Sequence, residues 1–489
     1  MLTAGLLHGA LGNWLLRAPG RPGLGFFLWV AALVGALLLL VRLLRIPLVG
    51  SGRWLPVPVL VLATGGFLWR DSPVLMVLDL FAILLTLGLT AYYARGRDLQ
   101  RSGLFDNALG LVLTGLKILA GLPLALFGDI RWEQLPRGAW SARAAAILRG
   151  LLIALPLLLL FGALFMAADA VFEQLVTNTL AINLEEVVSH VVMTGFLAWL
   201  ACGYLRTALV EPGPDLPAVE RPKPLSLGTI ETGVVLGALN LLFLAFVLVQ
   251  FTYLFGGGAL VMSSSDLTYA EYARRGFFEL VWVTALVLPV LLISHWLLPT
   301  EGARLFRWLA GSLVAMLAVI MASAVQRMLL YVSEFGLTEL RLYPTAFMAW
   351  LALVFGWFVL TVLRGRRERF AVGALVSGLA VLVALHVLNP DSFIARVNTA
   401  RLQTGHSFDA TYATELSADA VPVLVKALPH MNEEQRLATL EQLSAKWTPP
   451  TAPDWRGWNW SRTRAWEAVS QVTRLTAVPP LPKVASQWR

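Results

Sequence analysis

Apolar residues dominate this chain in long unbroken runs. They lie at 26–43, 54–70, 73–94, 147–168, 187–207, 230–254, 277–298, 307–330, 344–363 and 370–388. Each is close to the ~17–25 residues that carry a helix across a bilayer. An eleventh run, 108–128, holds Lys117 near its middle, with Gly115, Gly121 and Pro123. A charge at the bilayer centre costs ~2.5–3.5 kcal/mol on insertion scales, so this run predicts a re-entrant or interfacial segment with both ends on one side. Residues 1–24 lack a charged start followed by a continuous apolar core, so no cleaved signal peptide is evident. An amphipathic interfacial segment is expected there. The pattern predicts an all-α fold: a polytopic transmembrane bundle of ten or eleven spans.

Beyond residue 388 the pattern becomes that of a small helical unit. Asn432 and Gln435 form a capping-box-like start. Leu437, Leu440, Leu443 and Trp447 then recur at helical spacing. A short helix is expected over 417–429, capped by Ser417. The Pro/Trp-rich stretch 447–460 reads as a loop. A last helix places Trp466, Val469 and Val472 on one side. The chain thus divides into an N-terminal membrane region at 1–145, a core bundle at 146–388 and a tail at 389–489.

Composition narrows the class. Of 489 residues, 57% are hydrophobic and only 14% charged, and the mean hydropathy is +0.71. These values exclude a disordered chain and an ordinary soluble enzyme. The net charge of +8 comes from Lys and Arg placed between apolar runs. They read as topology signals, and nucleic acid is not an expected partner. The strongest cytoplasmic marker is RGRRER at 364–369. One further span puts the tail outside the cytoplasm. The positive-inside rule favours ten spans with an external N-terminus; if 108–128 crosses, there are eleven spans and the N-terminus is cytoplasmic. The single cysteine, Cys202, excludes a disulfide within the chain.

Five stretches carry a resemblance: QFTYLFGG (250–257), TYAEYARRGFFEL (268–280), YVSEFGLTELRLYP (331–344), NPDSFIARVNTARL (389–402) and SFDATYATELSADAVPVL (407–424). They resemble the uncharacterised bacterial membrane proteins grouped as domain of unknown function 4173, with the related domain 4153. The resemblance covers about 147–430. It implies a multi-pass protein of a bacterial inner or plasma membrane, and supplies no reaction or substrate.

Placed on the topology, four of these stretches meet on the outer side. They offer Tyr253, Tyr269, Glu271, Tyr272, Arg274, Arg275, Glu279, Arg327, Glu334, Glu339, Arg341, Asn389, Asp391, Arg396 and Asn398 as an outward-facing polar pocket. Arg groups there could fork onto a carboxylate or phosphate. The competing reading is that these charges pair with one another and fix the tail to the spans. Inside the membrane, Asp79, Lys117, Glu186, His190, Asn240, Gln250, His295, Gln326 and His386 need explanation, because ionisable groups are expensive there. Glu186 and His190 lie four apart on one helix face, and Asp79 is a candidate to pair with Lys117. FGGG at 255–258 lacks phosphate-loop spacing, no zinc motif occurs, and no cofactor is called for.

Three functions follow. A transporter or exporter of a small molecule or ion is the first. A membrane-embedded enzyme at the outer pocket is the second. A sensor or scaffold whose tail binds an extracytoplasmic protein is the third.

Overall fold

The computed structural model describes residues 1–94 except 47 and 49, residue 99, 103–129, isolated positions between 147 and 169, 184–210, 228–255, 277–297, 302–404 and 408–476. Among these residues the fold is all-α. Among the described residues, nine helices are long and apolar enough to cross a membrane: Leu24–Leu43, Pro73–Tyr93, Leu104–Asp129, Glu185–Leu209, Thr229–Gln250, Phe277–Leu297, Ala303–Phe335, Glu339–Thr361 and Arg367–Leu388. The protein is a multi-pass membrane bundle.

Helix α1 (Leu2–Leu16) lies against α6 (Leu184–Leu209). Gly5, Gly9 and Gly12 share one face of α1, and a Cβ on any of them would press on α6 between Thr194 and Cys202. Small residues at this spacing let two helix backbones approach closely. Arg17 reaches Ser189 and Gly5 meets Cys202, so the two helices run antiparallel. Arg17 sits beside the tail, while Met1 lies at the opposite end near Leu205. The stretch expected to lie at the interface forms α1, which packs antiparallel along α6 rather than apart from the bundle.

Helices α2 (Leu24–Leu43), α3 (Pro56–Ala63, continued by a π-helical turn at Thr64–Trp69) and α4 (Pro73–Tyr93) alternate in direction. Helix α5 (Leu104–Leu124, continued to Asp129) is long enough to cross, yet both its ends touch the bundle end far from the tail. Phe105 packs on Trp296 at one end, and Asp129 pairs with Arg206 at 2.7 Å at the other. Its buried residues Asn107, Gly110, Thr114 and Gly121 form one face, which lies on α4 and α6. Lys117 is thereby kept away from Asp79, which lies near the tail end.

Helices α7 (Thr229–Phe255), α8 (Phe277–Leu297), α9 (Ala303–Phe335), α10 (Glu339–Thr361) and α11 (Phe370–Leu388) enclose the largest apolar core. With 33 residues α9 is about 50 Å long, against a hydrocarbon thickness of ~30 Å. Its excess reaches the tail, where Val332 joins the tail core.

The tail begins at α12 (Pro390–Ala400) and adds α13 (Ala410–Glu415), α14 (Val421–Ala427), α15 (Glu433–Lys446) and α16 (Trp460–Thr476). Asn432 caps α15 by accepting from the Gln435 amide at 2.8 Å. Leu440, Leu443, Trp447, Trp466, Val469 and Val472 form or line the tail core, whereas Leu437 is exposed. Ser417 does not cap a helix: α14 starts later, and the Ser417 hydroxyl turns to Asp419 at 3.4 Å.

Candidate functional site at the junction of bundle and tail

The tail is held to the bundle by the sequence Trp69-Arg70-Asp71-Ser72, in the turn between α3 and α4. The π-turn widens the helix end and leaves the Phe67, Trp69 and Arg70 carbonyls without helical partners. Tail side chains take them. Asn459 donates to Phe67 at 3.0 Å and to Arg70 at 2.8 Å, and the Ser461 hydroxyl donates to Trp69 at 2.8 Å. Charge follows the same path. Asp419 accepts from the Asp71 amide at 2.8 Å, from Ser461 at 2.6 Å and from Arg70 at 3.4 Å. Asp71 in turn faces Arg21 at 3.1 Å and Arg462 at 3.2 Å. Arg462 also donates to the carbonyls of Arg21 and Pro22. Burial raises the Asp71 carboxyl above its ordinary range, against the opposing pull of Arg462 and Arg21. It likewise lowers Arg70 and Arg462, each countered by its carboxylate partner.

A second acid lies beside this pair. Asp391 is fully buried in the first turn of α12 and accepts from the Ser417 amide at 3.3 Å. Burial, aided by the charges of Glu339 and Asp419 and opposed by hydrogen bonds from Ser417, pushes its carboxyl up to about 7. One layer deeper, His386 Nε2 meets Asp79 Oδ1 at 3.0 Å. Both residues are buried, and among the described residues neither Asp79 Oδ2 nor His386 Nδ1 has a hydrogen-bond partner. Gly65 and Gly66 of the π-turn pack on this pair, and a Cβ at Gly66 would overlap the Asp79 carboxylate. Arg70 ties the layers together by donating Nε to the His386 carbonyl at 2.8 Å.

Beside this network lies a cavity of about 430 Å³. Its charged lining is Arg70, Arg396, Lys426 and Arg464 against the one carboxylate of Asp419. That carboxylate already holds Arg70, an amide and a hydroxyl. No carboxylate of the described residues pairs with Arg396, Lys426 or Arg464, all three solvent-facing. Trp69, Trp460 and Val387 also line it. The arrangement suits an anion held by several cationic donors.

The residues read from sequence fall into several groups. Asn389 and Arg396 line this cavity, and Asp391 lies behind it. Arg341 and Asn398 hold backbone instead. Arg341 donates to the Phe335 and Gly336 carbonyls at the end of α9 and lies 4.1 Å over the Tyr331 ring. Asn398 bonds both the amide and the carbonyl of Leu337, each at 2.8 Å. Glu334 is exposed, and its carbonyl accepts from Arg401. Glu279 and Arg327 line a separate, mostly apolar cavity of about 380 Å³, where Arg327 donates to Gln250 at 2.8 Å. Asn240 joins α7 to α9 through the Leu309 carbonyl and Ser312. Glu186 and His190 face each other at 3.9 Å on the bundle surface, and His190 also meets Asn13 at 2.8 Å. Asp79 pairs with His386 rather than with Lys117. Tyr269, Glu271, Tyr272, Arg274 and Arg275, the side chain of Tyr253 and FGGG's glycines lie outside the described residues. Sequence reading missed Arg70, Asp71, Asp419, Ser461, Arg462 and Arg464 as site residues. The one available signal was WRDS, a charged pair wedged between two apolar runs.

These features define a multi-pass membrane bundle with a helical tail seated on one end. The family model for the domain of unknown function DUF4153 matches residues 57–427, and the chain belongs to that family. Of the two related domains that the sequence resembles, the match is to 4153. From residue 57 it also takes in α3, α4 and α5, which the resembling stretches left out, and with them Arg70 and Asp71. No curated protein and no solved structure matches the chain.

Proposed function

We propose that this membrane protein is a transporter whose tail-side cavity loads a small anionic ligand. The observation that carries this reading is the cavity itself: three solvent-facing cations converge on about 430 Å³ at the bundle end, with their charge not cancelled locally. The deeper Asp79–His386 pair, with an unpartnered atom on each residue, favours movement into the bundle over a surface role, because such pairs are costly in a membrane unless used. The tail side faces out of the cytoplasm in this reading. The support is the short loop with Arg364, Arg366, Arg367 and Arg369, which lies at the opposite end of α10 and α11.

Binding of inorganic phosphate and acetate to the detergent-purified protein tests the loading step. Saturable binding that weakens at least tenfold in Arg396→Glu/Arg464→Glu is expected. Equal binding by that variant refutes the anion pocket. Uptake of the bound probe by proteoliposomes above protein-free liposomes tests transport, and binding without uptake refutes the transport half.

A further inference from the structure

We infer that the anion taken by the junction cavity is the phosphate head of a membrane lipid, entering sideways from the bilayer surface. This rests on the reading of the cavity as an anion pocket and adds where the anion comes from. The cavity combines two kinds of lining at one depth. Its cationic side is Arg396 on α12, Lys426 on α14 and Arg464 on α16. Its other side is Trp69, Val387 and Trp460.

Val387 sits in the last turn of α11, a membrane-crossing helix, and is 68% exposed. Its level is therefore where hydrocarbon gives way to head groups. Trp69, at the end of α3, and Trp460, at the start of α16, are 39% and 48% exposed. Indole rings favour that same level, with an apolar body and a polar tip. A water-soluble anion has no use for an exposed apolar wall beside its cations. A phospholipid does, because its phosphate reaches the three cations while its first methylenes lie along Val387 and the indoles. Each methylene so covered is worth about 0.8 kcal/mol, which corresponds to roughly fourfold in affinity. A lipid head can thus be held more tightly than its free phosphate.

The cations come from three tail helices, and the apolar wall from Trp69 and Val387 of the bundle together with Trp460 of the tail. Such a lipid would touch both parts of the molecule.

The test uses the full chain in a neutral detergent and four soluble probes: dihexanoyl-phosphatidylglycerol, dihexanoyl-phosphatidylcholine, glycerol 3-phosphate and inorganic phosphate. The anionic short-chain lipid should bind at least tenfold more tightly than glycerol 3-phosphate and than the choline lipid. Arg396→Glu/Arg464→Glu should weaken it at least tenfold, and Val387→Ser should weaken the lipid but leave glycerol 3-phosphate unchanged. These side chains are exposed, and melting curves check that each variant is folded. If glycerol 3-phosphate matches the lipid and both depend on Arg396 and Arg464, the anion pocket stands and the lipid inference falls. If no probe binds, or charge reversal changes nothing, the pocket reading itself is overturned.

Discussion

Two aspartates set the properties of the junction. Asp391 keeps its proton in the folded protein up to about pH 7, whereas an ordinary carboxylate loses it near 4. The folded state therefore binds more protons than the unfolded one across that window. This contribution to stability is present at acid pH and is lost as pH rises through about 7. Melting temperature should fall between pH 5 and pH 8, and Asp391→Asn should flatten the fall by about 2–4 kcal/mol, since each tenfold change in proton affinity is worth ~1.4 kcal/mol. An unchanged slope in the variant would contradict this. Asp79 makes a steric prediction. Gly66→Ala drives a methyl into its carboxylate and should cost about 1–3 kcal/mol, whereas Gly35→Ala, with no atom within 4 Å, should be nearly neutral. Equal melting shifts would count against the packing described. Sequence reading marked Asp79 and His386 as groups needing explanation, because ionisable groups are expensive inside a membrane, and offered Asp391 as part of the outer pocket. It could not pair them: Asp79 and His386 are 307 positions apart.

Helices were more legible than their placement. Apolar length marked α2, α4 and α6 to α11 with bounds near those observed, since length and composition alone decide whether a helix can cross. Those same criteria mislead for the shortest and the most oblique elements. Helix α1 has only 15 residues, too few to be marked by apolar length, and joins the bundle by packing its glycine face on α6. Helix α5 has the length to cross but lies across one end, with Asp129 held by Arg206. In a Cys202→Ala background, cysteines at Leu104 and Gly128 should both react with an impermeant maleimide from one side of the membrane, the side opposite a cysteine at Ser470. Labelling of the two α5 positions from opposite sides would restore a crossing helix.

At the scale of the whole molecule, the tail and the bundle share one charged seam. Asp71, Arg70 and Arg462 are buried there, and removing one partner leaves a buried charge unpaired. Asp419→Ala should cost about 3–5 kcal/mol and expose the tail to limited proteolysis. Protease resistance equal to the parent would contradict the seam. Sequence showed the tail as a separate helical unit but not its seat, because the seat is made by turns between elements, which carry no periodic signal. The cavity beside this seam is where we propose that an anionic head group sits. A cryo-EM map of the protein in nanodiscs rich in phosphatidylglycerol tests it most directly. Head-group density is expected within hydrogen-bond reach of Arg396, Lys426 and Arg464, with its chains running past Val387. A cavity holding only water, with ordered lipid elsewhere on the bundle, would contradict it.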